Sequence, residues 1–424
     1  MTSSKKLLLV FILAFVTSCG GGGSSAKSSG TPSTGSGPTG TSINNVIPIS
    51  VNGSSLNQAW GINAATVSVK VCTPGTSTCQ TIDNILLDTG STGLRIFKQA
   101  LTTVPLSQLT TSSGGSLANC VQYDDNTADW GPVQMAGIIL GNEPAVQTPI
   151  QVIDSTFGDP TVCAEQEYTL DTDPTTDGYN GLLGIGLYAQ DCGSYCETVQ
   201  NPIPSGWPYF SCNGSSCTAT AVSTSSQLQN PVALLPKDNN GVIVELPSIS
   251  DNGMPSASGS LVLGIGTESN NIPPSTVKVY LVDDNPNDPN YTDFNTWVNG
   301  TYYPYSFIDS GSNALFFSPP TGTTSLPVCS DDSGWFCPAS TTSFTAITSG
   351  YNDTNPNSGT EVSFQIGNYD TLVNDSSNWV FNDIGGTTQA GEFDWGLPFY
   401  FGRDVYQGIE GRWSSLGTGP YWAY

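Results

Sequence analysis

Two short stretches of this chain share one pattern: Leu86-Leu87-Asp88-Thr89-Gly90-Ser91 and Phe307-Ile308-Asp309-Ser310-Gly311-Ser312. In each, an apolar pair precedes Asp, a hydroxyl residue, Gly and Ser, and a Leu follows six positions after the Asp. A single Asp-Ser-Gly sequence is an ordinary turn. Two copies, each after an apolar strand, predict a matched pair of carboxylates. Asp88 and Asp309 are therefore candidates for a pair that activates water.

The composition predicts an all-β protein and excludes several kinds of chemistry. The 424 residues can bury more than one core, and the 47 Gly and 29 Pro indicate many turns. A net charge of −25 disfavours nucleic acid as a partner, because phosphate binding needs clustered Lys and Arg. The sequence has no His, which excludes Ser-His-Asp catalysis and imidazole metal sites. Carboxylates, an activated Lys or oxygen-ligated metals remain for hydrolysis.

The N-terminus reads as a targeting segment followed by a linker. Residues 1–19 carry a basic start and an apolar stretch too short to span a membrane comfortably. Their end resembles a bacterial lipoprotein signal, which implies cleavage before Cys19 and its lipidation. With Gly20 following, we expect anchoring in the cell envelope, at the outer membrane; a plain secretion signal is the alternative. Residues 20–44, mostly Gly, Ser, Thr and Pro, predict a flexible linker.

Ten cysteines follow Cys19, and an even count in an exported chain favours disulfides. The sequence contains no C-x-x-C pair, which argues against zinc. Closeness in sequence suggests three loop-closing pairs and leaves two more: Cys72–Cys79, Cys212–Cys217, Cys329–Cys337, Cys192–Cys196 and Cys120–Cys163.

Each Asp motif is followed by an apolar run that a Gly interrupts. The first run holds Gly184, 96 positions after Asp88, and the second holds Gly402, 93 positions after Asp309. A strand of this kind can pack behind an Asp turn, since Gly permits close backbone approach. The repeated order predicts two homologous lobes, 45–235 and 236–424, each with a buttress strand.

These motifs resemble the pepsin-type, two-lobed aspartic peptidases over most of residues 46–424. The stretch 258–266 is similar to a strand and turn early in the second lobe of that family. The whole chain also resembles a set of bacterial lipoproteins known mainly as a domain of unknown function. The resemblance implies an all-β bilobal fold with two barrel-like lobes, an active site between them, a monomeric state, and no metal or cofactor.

The resemblance also implies roles for the residues of the two motifs. Asp88 and Asp309 would hydrolyse peptide bonds of a peptide or protein substrate through a bound water. The residues after each Asp would cross-bond beneath the pair, the serines would bind the outer carboxylate oxygens, and the glycines would offer N–H groups. The supporting residues are Thr89, Gly90, Ser91, Ser310, Gly311 and Ser312.

A flap should cover the cleft, and a hairpin within 121–138 is the candidate. Tyr123 is the preferred flap side chain and Trp130 the second. The Trp that the pepsin family carries seven residues after the first Asp is replaced by Arg95. Arg95 is therefore expected to change how the flap is held.

Two other interpretations stay open at this point. The chain is alternatively a catalytically silent, peptide- or glycan-binding envelope lipoprotein on the same fold. The acidic stretches 171–174 and 283–288 invite a calcium site, but Asp, Asn and Pro in such stretches are also typical of turns.

Overall fold

The computed structural model describes residues 44–53, 61–123, 125–164, 168–251, 253–283, 293–322, 326–330, 332 and 334–424. The predicted leader with Cys19 and the linker up to residue 43 lie outside these residues, as does most of the acidic stretch 283–288. Within the described ranges, no helix combines the length and apolar character needed to cross a membrane.

Strands form nearly all of the regular secondary structure in the described residues, as the composition predicted. The strands in chain order are β1 (Val46–Asn52), β2 (Ala64–Cys72), β3 (Cys79–Asp88), β4 (Thr92–Phe97), β5 (Ser107–Gln108), β6 (Ser116–Gln122), β7 (Thr127–Ile139), β8 (Val146–Ile153), β9 (Thr169–Leu170), β10 (Gly181–Ile185), β11 (Tyr209–Asn213), β12 (Ser216–Ala219), β13 (Gly241–Leu246), β14 (Ala257–Leu263), β15 (Val279–Leu281), β16 (Phe294–Val298), β17 (Thr301–Ile308), β18 (Leu315–Phe317), β19 (Thr342–Ser349), β20 (Thr360–Ile366), β21 (Gly385–Gly386), β22 (Glu392–Trp395), β23 (Arg403–Gly408), β24 (Trp413–Ser414), β25 (Gly417–Thr418) and β26 (Tyr421–Ala423).

Helices are few and short in the described residues. The two α-helices are α1 (Pro174–Asp177) and α2 (Tyr369–Val373). The single-turn 3₁₀ helices are Lys98–Ala100, Pro160–Val162, Gly193–Glu197, Thr224–Ser226, Pro231–Leu234, Pro356–Ser358 and Leu397–Tyr400. Asp173 caps α1 by accepting a hydrogen bond from the Thr175 N–H at 2.8 Å, so the stretch 171–174 forms a turn and a helix start.

A large sheet of 17 strands joins the two halves of the sequence. β1 pairs with β2 on one side and with β14 on the other, and β14 continues through β13, β23 and β26 to β15. The predicted lobe boundary at 235/236 falls between the helix Pro231–Leu234 and β13. The first strand therefore pairs with strands that follow this boundary.

A second sheet of seven strands has the order β20-β19-β16-β17-β22-β18-β21 and lies wholly within the C-terminal half. It positions the second Asp motif, which follows β17. Its inner face carries a group of aromatic rings in mutual contact: Phe317, Phe344, Phe364, Phe393 and Trp395.

Alternation of buried and exposed residues explains why these segments form strands. In β1, Ile47, Ile49 and Val51 are buried, whereas Pro48 and Ser50 between them are exposed. Side chains of successive strand residues point to opposite faces, so this pattern places one face on the core. The segments before the two Asp motifs end in fully buried runs instead, which carry the acidic residues into the interior.

All five disulfides expected from the sequence are present. They are Cys72–Cys79, Cys120–Cys163, Cys192–Cys196, Cys212–Cys217 and Cys329–Cys337. In four of them the two cysteines are at most eight positions apart in the sequence, whereas Cys120 and Cys163 are 43 positions apart. This longer link connects β6 to the segment after β8.

Candidate active site

The two Asp motifs occupy equivalent places in their strands. β3 ends at Asp88, a turn follows, and β4 begins at Thr92. In the second copy, β17 ends at Ile308 and the turn begins with Asp309. The apolar pair before each Asp is buried, which drives the strand end and its carboxyl group into the protein interior.

The fold brings Asp88 and Asp309 together. The Gly90 N–H lies 2.9 Å from Asp88 Oδ1 and 3.2 Å from Asp309 Oδ1, so one donor faces both carboxyl groups. The Gly311 N–H donates to Asp309 Oδ1 at 2.7 Å. A Cβ on Gly90 would lie 2.8 Å from Asp309 Cγ, so only Gly fits at that position.

The serines bind the outer oxygens, as the resemblance implied. Ser91 Oγ donates to Asp88 Oδ2 in a short hydrogen bond, and Ser312 Oγ donates to Asp309 Oδ2 at 2.9 Å. The Ser91 N–H adds a bond to Asp88 Oδ1 at 3.0 Å. Both carboxyl groups are therefore fixed in orientation by donors from their own turns.

The hydroxyl residues after each Asp form reciprocal bonds beneath the pair. Thr89 N–H donates to Ser310 Oγ at 3.1 Å, and Ser310 N–H donates to Thr89 Oγ1 at 2.9 Å. Ser310 Oγ also donates to the Leu87 carbonyl at 2.7 Å. Tyr400 OH lies 2.9 Å from Thr89 Oγ1, a contact that no motif in the sequence indicated.

Both carboxyl groups have no exposed surface. Burial raises the pKa of Asp88, while the bonds from Ser91, Asp309 and Gly90 work in the opposite direction. Burial also raises the pKa of Asp309 well above its usual range, and the nearby charge of Asp88 raises it further. Two close carboxyl groups with raised pKa values hold a proton between them and titrate as one unit.

The first predicted buttress is where the sequence placed it. β10 runs parallel to β3 with Gly184 opposite Asp88, and antiparallel to β4 with Gly184 opposite Gly93. A Cβ on Gly184 would lie 2.7 Å from Ser91 Oγ and 2.8 Å from the Gly93 carbonyl oxygen. The Gly therefore allows the strand to pack directly behind the Asp88 turn.

The prediction that Gly402 forms the second buttress is wrong. β22 is the strand that runs parallel to β17, with Trp395 opposite Ile308, and its next residue, Gly396, is the counterpart of Gly184. A Cβ on Gly396 would lie 2.0 Å from the Ala314 carbonyl oxygen. Gly402 instead has φ +79° and donates its N–H to the Leu246 carbonyl, away from the Asp309 turn.

The sequence held a signal for Gly396 that the spacing obscured. Trp395-Gly396-Leu397 is also an apolar run interrupted by Gly, but it lies 87 positions after Asp309. Gly402, at 93, matched the first repeat more closely. Loops between equivalent strands change length without changing the strands, so spacing was the weaker criterion.

The candidate flap is a hairpin of β6 and β7, as expected for 121–138. Both predicted flap aromatics are buried rather than exposed at its tip. Trp130 donates its indole N–H to the Phe157 carbonyl at 2.7 Å, within a separate apolar cluster. The Tyr123 hydroxyl donates a hydrogen bond to Asp129 Oδ2 at 2.8 Å. Burial is the largest cause of the raised pKa of Tyr123, and the charges of Asp129 and Asp88 raise it further.

Arg95 lies in β4 and is buried, in contrast to the other basic residues that the structure describes. Its Nη1 donates to the Thr92 carbonyl at 3.1 Å, and its Nη2 lies 3.9 Å from Asp191 Oδ2. No hydrogen-bond acceptor faces its Nε among the described residues. The side chain is a buried cation, and Tyr123 and Asp129 of the candidate flap hairpin are among the groups that act on it electrostatically.

One group of described residues has spacing suited to a metal ion: Cys329, Cys337 and Asp370. The two sulfurs are joined in a disulfide, and a disulfide sulfur does not offer the thiolate that metal binding requires. The group therefore does not support a metal site.

Comparison with known families matches one family over most of the chain. The sequence model of the family described as "Protein of unknown function (DUF3443)" matches residues 41–424. The chain belongs to the DUF3443 family. The match covers both Asp motifs, both buttress strands and all five disulfides of this DUF3443 protein. A search of curated proteins found no match to it.

Proposed function

We propose that this DUF3443 protein is an aspartic endopeptidase with a bilobal, pepsin-like arrangement. The observation that carries the proposal is the shared Gly90 N–H, which faces the Oδ1 atoms of both Asp88 and Asp309. The reciprocal bonds of Thr89 and Ser310 and the matched Ser91 and Ser312 bonds support it. Two carboxyl groups in such a cradle are suited to general acid–base catalysis on one water molecule.

The proposed chemistry needs no covalent intermediate. The ionised carboxylate accepts a proton from water as its oxygen attacks the peptide carbonyl carbon, and the protonated carboxyl donates its proton to the carbonyl oxygen. The product of this step is a neutral tetrahedral diol. Transfer of a proton to the peptide nitrogen then breaks the C–N bond and releases an amine and a carboxylic acid. The backbone donors of Gly90 and Gly311 keep both carboxyl groups oriented throughout.

The proposed substrate is an extended segment of a peptide or protein, which can pair with strand edges along a cleft. We place the enzyme in the bacterial envelope, tethered to the outer membrane through lipidated Cys19, on the basis of its N-terminal sequence. The net charge of −25 disfavours anionic polymers as substrates.

One observation favours the alternative, a silent peptide- or glycan-binding lipoprotein. Asp88 and Asp309 have no exposed surface, and the two predicted flap aromatics are buried as well. A protein in which the pair serves only to join the two halves would also keep these hydrogen bonds. The alternative predicts binding without hydrolysis.

Cleavage of a mixed peptide library by the purified full-length protein, from pH 3 to 7, tests the proposal. Pepstatin, a mimic of the tetrahedral diol, serves as inhibitor, and Asp88→Asn and Asp309→Asn serve as matched variants. Cleavage that pepstatin blocks and both variants lose supports the peptidase. Absence of both cleavage and pepstatin binding over this pH range would contradict the proposal that the protein is a peptidase. Binding to peptides or to a glycan array that both variants retain would favour the alternative.

A further inference from the structure

The link between the two Asp turns is reciprocal in its backbone donors but not in its hydroxyl groups. Ser310 Oγ accepts the Thr89 N–H and donates to the Leu87 carbonyl at 2.7 Å. Thr89 Oγ1 accepts the Ser310 N–H, but its second contact is the Tyr400 hydroxyl, at 2.9 Å. The carbonyl equivalent to that of Leu87 belongs to Ile308, and in the ranges that the structure describes no hydrogen bond joins it to Thr89 Oγ1. Tyr400 therefore gives Thr89 the contact that a backbone carbonyl gives Ser310.

Tyr400 is the last residue of the 3₁₀ helix Leu397–Tyr400, and the first residue of this helix is bound to the second Asp turn. The Leu397 N–H donates to the Ser312 carbonyl at 2.7 Å. At the other end of the helix, the Tyr400 hydroxyl contacts Thr89 in the first Asp turn. One short helix therefore holds both Asp turns, one through its backbone and the other through a side chain.

The chain after Tyr400 is fixed as well. Phe401 forms a β-bridge with Leu246, and the Gly402 N–H donates to the Leu246 carbonyl at 3.0 Å. Leu246 ends β13, which belongs to the sheet that joins the two halves of the sequence. Because the backbone is held on both sides, the Tyr400 ring has little freedom to move away from Thr89.

The contact between Tyr400 and Thr89 lies in the protein interior. Tyr400 has no exposed surface, and Thr89 is 1% exposed. Burial raises the pKa of Tyr400 well above its ordinary value; the bond to Thr89 acts in the opposite direction, and the charge of Asp309 raises the pKa further. The phenol therefore keeps its proton throughout the range in which carboxyl groups titrate, and a neutral phenol can donate or accept a hydrogen bond.

The Gly90 N–H shows how closely the two turns are spaced, since it lies 2.9 Å from Asp88 Oδ1 and 3.2 Å from Asp309 Oδ1. The longer of these distances is at the limit of good N–H···O geometry. Gly90 follows Thr89 directly in the chain, so a rotation of Thr89 moves this N–H. Loss of the Tyr400 hydroxyl removes one of the two bonds of Thr89 Oγ1. A small displacement is then enough to break the contact with Asp309.

We propose that Tyr400 is a positioning residue for the Asp pair: from a helix that is anchored on Ser312, its hydroxyl fixes Thr89 and keeps the Asp88 turn at its distance from Asp309. Tyr400 acts through Thr89 and not on the reacting atoms. The spacing of the two carboxyl groups is independent of whether the protein cleaves peptides, but the catalytic meaning of this inference rests on the proposed function.

Titration of the Asp pair measures this spacing without any substrate. Carbon-13 NMR of the full-length protein with carboxyl-labelled aspartate follows the titration, and Asp88→Asn and Asp309→Asn assign the signals. Two carboxyl groups in contact titrate in two steps whose apparent pKa values are separated by their interaction. In Tyr400→Phe a wider spacing weakens this interaction, so the two apparent pKa values should approach each other by about half a unit or more.

Tyr421→Phe is the matched control, because Tyr421 is also fully buried and its hydroxyl also contacts another hydroxyl, that of Ser414 in β24. Each variant loses one buried bond between two hydroxyl groups, so the urea unfolding midpoints should fall by similar amounts. The titration of the Asp pair should be unchanged in Tyr421→Phe. An unchanged separation of the two pKa values in Tyr400→Phe, or the same change in Tyr421→Phe, would overturn the proposal.

Two variants of Thr89 decide the matter if Tyr400→Phe does not fold. Thr89→Ser keeps the hydroxyl that contacts Tyr400 and should keep the separation of the two pKa values. Thr89→Val removes this hydroxyl and should reduce the separation. Equal separations in the two Thr89 variants would overturn the proposal.

Cleavage kinetics separate this inference from the proposed function. If the protein cleaves peptides, Tyr400→Phe should lower kcat by about tenfold or more and leave KM within about twofold, because displaced catalytic groups slow the reaction while the substrate contacts remain. Tyr421→Phe should retain kcat. A reduced pKa separation in a protein that neither cleaves peptides nor binds pepstatin would uphold the positioning role and remove its catalytic meaning. A Tyr400→Phe enzyme with unchanged kcat would uphold the proposed function and contradict this inference.

Discussion

Thr89 and Ser310, 221 positions apart, each donate a backbone N–H to the side-chain oxygen of the other. Ser310 Oγ also donates a hydrogen bond to the Leu87 carbonyl at 2.7 Å, so its removal takes an acceptor from the buried Thr89 N–H and a donor from the Leu87 carbonyl. The bonds join the strand ends that carry Asp88 and Asp309. The position of the pair thus depends on a link between distant parts of the sequence.

Replacement of Ser310 by Ala should destabilise the protein by about 2–4 kcal/mol, because each unsatisfied buried polar group costs about 1–3 kcal/mol. Urea unfolding at constant pH measures the change. Ser343→Ala, at an exposed position in β19, is the control and should alter the free energy of unfolding by less than about 0.5 kcal/mol. If Ser310→Ala were as stable as this control, the hydrogen bonds between Thr89 and Ser310 would contribute nothing to the free energy of unfolding.

Replacement of Gly396 by Ala should disrupt the Asp309 turn. The added Cβ would lie 2.0 Å from the Ala314 carbonyl oxygen and 2.7 Å from that of Ser312, both backbone atoms that cannot turn aside. We expect the free energy of unfolding to fall by about 3 kcal/mol or more, at the upper end for overpacking. If the protein is the proposed peptidase, pepstatin binding should be lost as well. Thermal unfolding and a pepstatin binding titration measure the two effects.

Gly137→Ala in β7 is the matched control for that change, since its Cβ would meet Cys72 Cβ at an ordinary 3.4 Å. It should leave pepstatin binding intact. If Gly396→Ala were as stable as Gly137→Ala, β22 would not be the strand that supports Asp309 in the way the structure indicates.

The free energy of unfolding should fall as the pH rises from about 4 to 8. Burial raises the pKa of Asp129 and Asp191 to about 6 and that of Asp177 to about 7. The folded state therefore binds these protons more tightly than the unfolded state, whose Asp groups titrate near 3.9. Their contribution is fully present below about pH 4 and is lost as the pH passes 6 to 7.

A pKa raised from about 4 to about 6 corresponds to about 3 kcal/mol for one group. Urea unfolding midpoints across this pH range measure the slope. Asp129→Asn, which stays neutral and keeps an acceptor for Tyr123, should make the slope shallower. Stability that rises between pH 5 and 8 would mean that these carboxyl groups are not buried as described.

Loss of the Cys120–Cys163 disulfide should cost more than loss of Cys212–Cys217. The first closes 43 positions and the second closes five, and the chain-entropy relation gives about 4 and about 2 kcal/mol for such loops. Paired Cys→Ala variants compared by chemical unfolding measure the difference. Equal costs for the two pairs would indicate that native-state packing, not loop closure, dominates.

Much of the site could be predicted from local sequence. Each Asp turn carries its own Ser and Gly within three residues, so the donors that hold Asp88 and Asp309 are encoded beside them. Three Cys pairs that close short loops were predicted from their closeness in sequence, and the other two pairs were those that remained. Partners distant in sequence were harder to predict. Gly402 was chosen instead of Gly396, because both follow the same apolar pattern and differ only in their spacing from Asp309, which depends on loop length.

The sequence by itself determined the β-structure, the two duplicated Asp turns and the disulfides that close short loops, since these depend on side-chain alternation and on residues near one another in the chain. Only the tertiary structure decided that Gly90 serves both carboxyl groups, that Trp395 and Gly396 support Asp309, and that Arg95 is buried among Asp129 and Asp191. These relationships join residues from separate strands. Their energies come from burial and charge in a shared interior, which exists only after the strands have packed.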